Sequence, residues 1–152
     1  MYTDKLTARA RTRIRKSPAE AFAAFADADK MSKFWFTRRD DGLVEGEPCT
    51  WYLGSGNDAF AFDVQVIELR EPTVIVIEWV GPDGITTRVR WDFEETDDGD
   101  TILTIEESGF AGTDEAIVER ALDSTGGFNQ VLIAAKALIE HDVSVNVVAD
   151  HA

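Results

Sequence analysis

The chain of 152 residues has one cysteine and two histidines, and these shortages remove whole classes of chemistry. Cys49 alone closes no internal disulfide and builds no thiolate metal site. His141 and His151 both stand near the C-terminus, so a Ser-His-Asp triad or a histidine-ligated metal centre lacks its material. No apolar run approaches the roughly 18–20 residues that span a bilayer, and the opening Met-Tyr-Thr-Asp-Lys lacks the apolar stretch of a signal peptide. Gly54-Ser55-Gly56 is not followed by the lysine of a phosphate-binding loop. Positive charge is scarce as well: Lys and Arg number 15 against 29 Asp and Glu, for a net charge of −14, which works against nucleic acid and anionic lipid surfaces. A cytoplasmic protein is expected, without metal, cofactor, nucleic acid or membrane as partner.

The charge is also uneven. Residues 1–39 hold ten basic and four acidic residues, and residues 40–152 hold five and twenty-five. Ala-Arg-Ala-Arg-Thr-Arg-Ile-Arg at 8–15 alternates with period two, which places Ala10, Thr12 and Ile14 towards a core and four arginines on the other face of a strand. Four arginines in a stripe suggest nucleic acid, but pairing with acidic residues of a neighbouring strand explains them better; the Glu106 side of the last strand supplies one partner. Ser17-Pro18-Ala19-Glu20 combines an N-cap serine, a proline at the first helical position and a glutamate three residues after the cap. A helix is predicted from there, broken by Asp27-Ala28-Asp29 before a second short helix around Lys30–Phe34.

From Leu43 to Glu107 the pattern is strands separated by turn chemistry, at Gly54-Ser55-Gly56-Asn57, Glu71-Pro72, Gly81-Pro82-Asp83-Gly84 and Asp97-Asp98-Gly99-Asp100 among others. No helix intervenes, so an antiparallel meander is expected. Thr113-Asp114 predicts a short helix to about Leu122, and Asp123-Ser124-Thr125 a longer one to about Glu140 with Phe128, Leu132, Ala135 and Ile139 on one stripe. Residues 143–148 alternate weakly and read as an edge strand, a dimer contact or a frayed, disordered tail. One sheet face is buried most economically by curving the sheet around the last helix. The fold class is therefore α+β, a helix-grip fold forming one domain over residues 1–141 with a tail at 142–152; monomer and homodimer both remain open.

Several motifs resemble the heat-shock-protein-90 ATPase activator-like (AHSA-like) branch of the SRPBCC/START-related superfamily. These are Ser17-Pro18-Ala19-Glu20 with Ala21-Phe22, Lys33-Phe34-Trp35-Phe36, Val66 to Pro72 followed by Val74 to Trp79, Thr101 to Phe110 ending in Ser-Gly-Phe, and Gly127-Phe128 opening the last helix. Glu107 stands where many relatives carry histidine, and Phe128 where many carry tryptophan. The resemblance implies a cavity between sheet and last helix that accommodates hydrophobic small molecules, with Lys30, Lys33, Arg38 and Arg39 around Trp35 at its rim, placed to admit an anionic head group. It also implies a chaperone as an alternative partner. It implies no particular reaction, because this fold hosts many functions.

Four tryptophans and nine phenylalanines either line such a cavity or fill the core. The candidate binding residues are Trp35, Trp51, Trp79, Trp91, Phe128 and Leu132, with Asp63 and Gln65 as polar groups if their side of the strand faces the last helix rather than water. Hydrophobic or amphipathic small-molecule binding is the leading reading. A chaperone-partner module and a cyclase or hydrolase using Glu107 or Asp63 are the alternatives; no catalytic residue is assigned. Glu94-Glu95 and Glu106-Glu107 each split across two strand faces and cannot act as pairs.

Overall fold

Period-two alternation makes Ala8–Ile14 the first strand, β1, and a capped first turn makes Pro18–Ala26 the first helix, α1. In the computed structural model, which describes residues 3–36, 38–39, 42–53 and 60–150, Ser17 accepts a hydrogen bond from the Glu20 N–H at 3.3 Å, as the cap motif requires. Ser17→Ala is expected to lower stability by about 1 kcal/mol and Ser17→Asp to preserve it, measured by urea unfolding. Asp27 ends α1 and at the same time caps a one-turn helix α2 (Ala28–Met31), accepting from the Asp29 and Lys30 N–H groups at 2.9 and 3.1 Å. That double use starts the second helix earlier than the expected Lys30.

The other strands are β2 (Arg38–Arg39), β3 (Pro48–Leu53), β4 (Phe60–Arg70), β5 (Val74–Val80), β6 (Thr86–Glu95) and β7 (Thr101–Ser108). They form one curved antiparallel sheet in the order β1-β7-β6-β5-β4-β3-β2, a meander whose first strand pairs with its last. The register sets Arg9 opposite Glu106. Arg9 lies 4.0 Å from Glu106, and Arg13 reaches Asp98 and Asp100 at 3.2 Å each. Arg88 pairs with Glu78 and Arg90 with Asp92 on the same outer face. Two of the four stripe arginines, Arg9 and Arg13, thus face acidic residues of β7 and of the turn before it, each exposed pair contributing at most about 1 kcal/mol.

The inner face carries Val64, Val66, Ile75, Ile77, Val89, Trp91, Phe93, Leu103 and Ile105, all buried. Phe22 and Phe25 of α1 pack on it, with ring centroids 5.3 Å from Phe93 and 6.0 Å from Trp91 respectively. A single helix, α3 (Asp114–His141), lies across the sheet. The expected break at Asp123-Ser124-Thr125 is absent. The Thr125 hydroxyl donates to Ala121 O at 2.7 Å, and the Asn129 amide donates to Thr125 O at 2.8 Å, so these polar groups are satisfied within one continuous helix instead of capping a new one.

After α3 the chain forms no strand through residue 150. It lies back on the segment following α2: Val147 N–H donates to Phe34 O at 3.2 Å, the Ser144 hydroxyl to Lys33 O at 2.5 Å, and the Asn146 amide to Ser32 O and Trp35 O at 3.3 and 3.4 Å. The turn expected at Gly54-Ser55-Gly56-Asn57, the Arg38 side chain and residues 151–152 lie outside the described residues.

Candidate functional site

Residues at spacings of three and four share a helix face, and on α3 that spacing brings Arg120, Asp123, Ser124, Gly127 and Val131 to the side facing the β3–β5 end of the sheet. Between them and the sheet lies a cavity of about 460 Å³, within the roughly 300–1,000 Å³ of small-molecule sites. Its walls are aromatic. Trp35 and Phe36 enter from the segment after α2, Phe62 from β4, Trp79 from β5 and Phe128 from α3. Trp35 is the hub, with ring centroids 6.1 Å from Trp79 and 6.3 Å from Phe128, and the Trp79 and Phe128 rings lie nearly parallel at 6.4 Å. Val147 and Val148 of the C-terminal segment complete the wall, held there by the hydrogen bonds to residues 32–35.

One part of the wall is polar. On β7, alternation turns Leu103, Ile105 and Glu107 inward, and Glu107 is 0% exposed. Its Oε2 accepts from Trp79 Nε1 at 3.0 Å, from the Thr87 hydroxyl at 2.5 Å and from Arg120 Nη2 at 3.4 Å. Arg120 is fixed in turn by Asp83 on the β5–β6 turn, at 2.5 Å. Burial alone raises the Asp83 carboxyl, but the Ile85 N–H and the Arg120 guanidinium outweigh it and hold the carboxyl below its ordinary value. The guanidinium lies flat against Gly81: a Cβ there would meet Arg120 Nη2 at 2.6 Å. Gly109, at φ +93°, carries the chain out of β7 past Thr87. No group of three His, Cys, Asp or Glu side chains among the described residues is arranged to hold a metal.

The expected binding residues divide into three sets. Trp35, Trp79 and Phe128 line the cavity. Trp51, Trp91 and Leu132 are buried to 0%, 1% and 1% exposure and pack behind it, Trp51 and Trp91 with ring centroids 5.8 and 6.2 Å from Trp35. Asp63 and Gln65 do neither: Val64 and Val66 occupy the core side of β4, so the two polar side chains point outward and border a separate surface groove with Pro48 and Glu78. Of the two carboxylates considered for a cavity, Glu107 enters one and Asp63 does not. Thr87 and Arg120 were not anticipated. Thr87 follows the alternation of Val89, Trp91 and Phe93 onto the inner face, which is a readable signal, whereas the reach of Arg120 depends on the missing side chain at Gly81.

The basic rim expected around Trp35 is also redistributed. Lys30 and Lys33 border a different groove, with Glu20, Leu138 and Ile139. Arg39 is buried, donating to Phe25 O at 2.7 Å and Ala26 O at 2.5 Å, because the end of α1 presents carbonyls that need donors. Among the described residues, the cation that reaches the cavity is Arg120.

A curved antiparallel sheet closed over a long C-terminal helix defines the helix-grip class of α+β proteins. Within it, the chain belongs to the family described as activator of Hsp90 ATPase homolog 1-like protein, whose model matches residues 15–140. The fold is shared with protein SSP2350 of Staphylococcus saprophyticus (23% identity, TM-score 0.76, covering 92% of this chain and 96% of that one). It is shared too with MLL2253 of Mesorhizobium loti (17% identity, TM-score 0.76, covering 91% and 99%) and with the Aha1 dimer of Colwellia psychrerythraea in solution (16%, TM-score 0.72, covering 90% and 97%). No curated protein matches the sequence significantly.

Proposed function

We propose that this protein is a small cytosolic binding module that holds an apolar or aromatic small molecule between α3 and the sheet. The observation that carries this reading is the cavity of about 460 Å³ walled by five aromatic rings, with Glu107 as the fully buried polar group among its described lining residues and Arg120 beside it. Apolar walls with few convergent polar groups are the arrangement of small-molecule sites. Titration with the neutral fluorophore N-phenyl-1-naphthylamine is expected to give a saturable one-site signal, with energy transfer from Trp35 and Trp79, and competition by unlabelled aromatics. A signal that rises linearly without saturation overturns the reading.

Membership of a family named for an Hsp90 ATPase activator, together with the net charge of −14, favours a chaperone-partner module as the second reading. Its test is the ATPase rate of Hsp90 at low salt with and without the protein. A rate that does not change removes it.

A further inference from the structure

Glu107 uses its two carboxylate oxygens unequally. Trp79, Thr87 and Arg120 all donate to Oε2, whereas no group among the described residues donates to Oε1, which is equally buried. A carboxylate oxygen has lone pairs for about two donors, and a buried acceptor without one is costly. The protein's own donors are not free to share themselves out. The Arg120 guanidinium is clamped between Asp83 and the Gly81 backbone, and the Trp79 indole bridges Thr87 and Glu107 at 3.0 Å each. The indole N–H groups of Trp51 and Trp91 also lack partners among the described residues, but neither residue lines the cavity. Glu107 does.

From this geometry we infer that the cavity selects ligands whose buried end carries a hydrogen-bond donor, a hydroxyl or N–H, received by Glu107 Oε1 while the aromatic walls hold the apolar body. The inference rests on the binding role proposed above and names the ligand class for it. A site built to hydrogen-bond a ligand group discriminates against the analogue that lacks it, because the site's own polar atom is then left unpaired.

The test is calorimetric titration of the wild-type protein with 2-naphthol and with its near-isostere 2-fluoronaphthalene, which has no donor. 2-Naphthol is expected to bind about tenfold or more tightly. In Glu107→Gln the amide oxygen can take the three protein donors and turn its NH2 to the cavity, so the preference is expected to collapse to within about twofold. Equal binding of both probes to the wild type overturns the inference and leaves the binding role standing. So does a 2-naphthol preference that survives Glu107→Gln. Failure of both probes to bind, together with failure of the fluorophore, overturns the binding role itself. If the variant does not fold, the wild-type protein still decides: the Glu107 carboxyl 13C resonance must shift with 2-naphthol and stay in place with 2-fluoronaphthalene.

Discussion

Gly127→Phe is expected to lose ligand affinity by roughly one to two orders of magnitude while the protein stays folded, the factor that corresponds to an overpacking penalty of about 1–3 kcal/mol. Gly126 and Gly127 sit in the middle of α3, where glycine costs roughly 0.5–1 kcal/mol relative to alanine. An added Cβ meets nothing within 4 Å at either position, so neither glycine is required by a close contact, and neither has a positive φ. Only Gly127 lines the cavity, on the helix face it shares with Ser124 and Val131. A phenylalanine there occupies space the ligand needs. Gly127→Ala fills little of that space and should raise stability by about 0.5–1 kcal/mol, as should Gly126→Ala. Fluorophore titration combined with thermal melting separates the outcomes. Wild-type affinity in Gly127→Phe would mean that the cavity is not where the probe binds, and a loss of affinity in Gly126→Ala would point to a general effect of helix stiffening.

The strands and the first helix were readable because their signals are local. Period-two alternation, a capping box and regularly spaced turn residues need no tertiary information, and they locate β1, α1 and the strands β3 to β7, whereas the two-residue β2, which exists only by pairing with β3, carries no such pattern. What the local pattern does not decide is which face of a strand becomes the inside. Asp63 and Gln65 stand on the face opposite Val64 and Val66 and point to water, whereas Glu107 stands on the same face as Leu103 and Ile105 and enters the cavity, a polar residue carried inward by the register of its neighbours. Asp123-Ser124-Thr125 has the composition of a helix start, but α3 buries Phe128, Val131 and Leu132 on the same course as Ile117 and Ala121. Tertiary packing thus carries the helix straight through a local cap signal. The tail was unreadable for a related reason. Its hydrogen bonds run to the backbone carbonyls of Ser32, Lys33, Phe34 and Trp35, and carbonyls leave no trace in side-chain pattern.

Arg39 shows the same effect at its largest, and Arg39→Met is expected to destabilise the protein by about 2–4 kcal/mol, a drop of roughly 5–15 °C in Tm for a chain of this size. By sequence it belongs to a basic cluster that suggests an anion site. In the fold its two terminal nitrogens hold the last carbonyls of α1, Phe25 O and Ala26 O, with Met31 Sδ at 3.6 Å and the Trp51 ring centroid 5.5 Å from the guanidinium carbon. Burial lowers the Arg39 pKa, and the nearby Cys49 and Asp27 offset part of that shift; charge is therefore a cost at this position, and relief of that cost makes methionine a fair replacement in volume. The penalty arises instead from orphaning two helix-end carbonyls, at about 1–3 kcal/mol each, and from losing the contact with Trp51. Arg39→Lys should recover less than half of the loss, since an ammonium lacks the planar fork that spans both carbonyls. Urea unfolding of the three proteins measures this directly. Stability of the Arg39→Met variant within about 0.5 kcal/mol of wild type would show that the carbonyls find other donors and that Arg39 does not hold α1 against β3. Because Trp51 packs against Trp35 at the back of the cavity, loosening this corner should also broaden the fluorophore titration, and so links the stability of the α1 terminus to the shape of the candidate site.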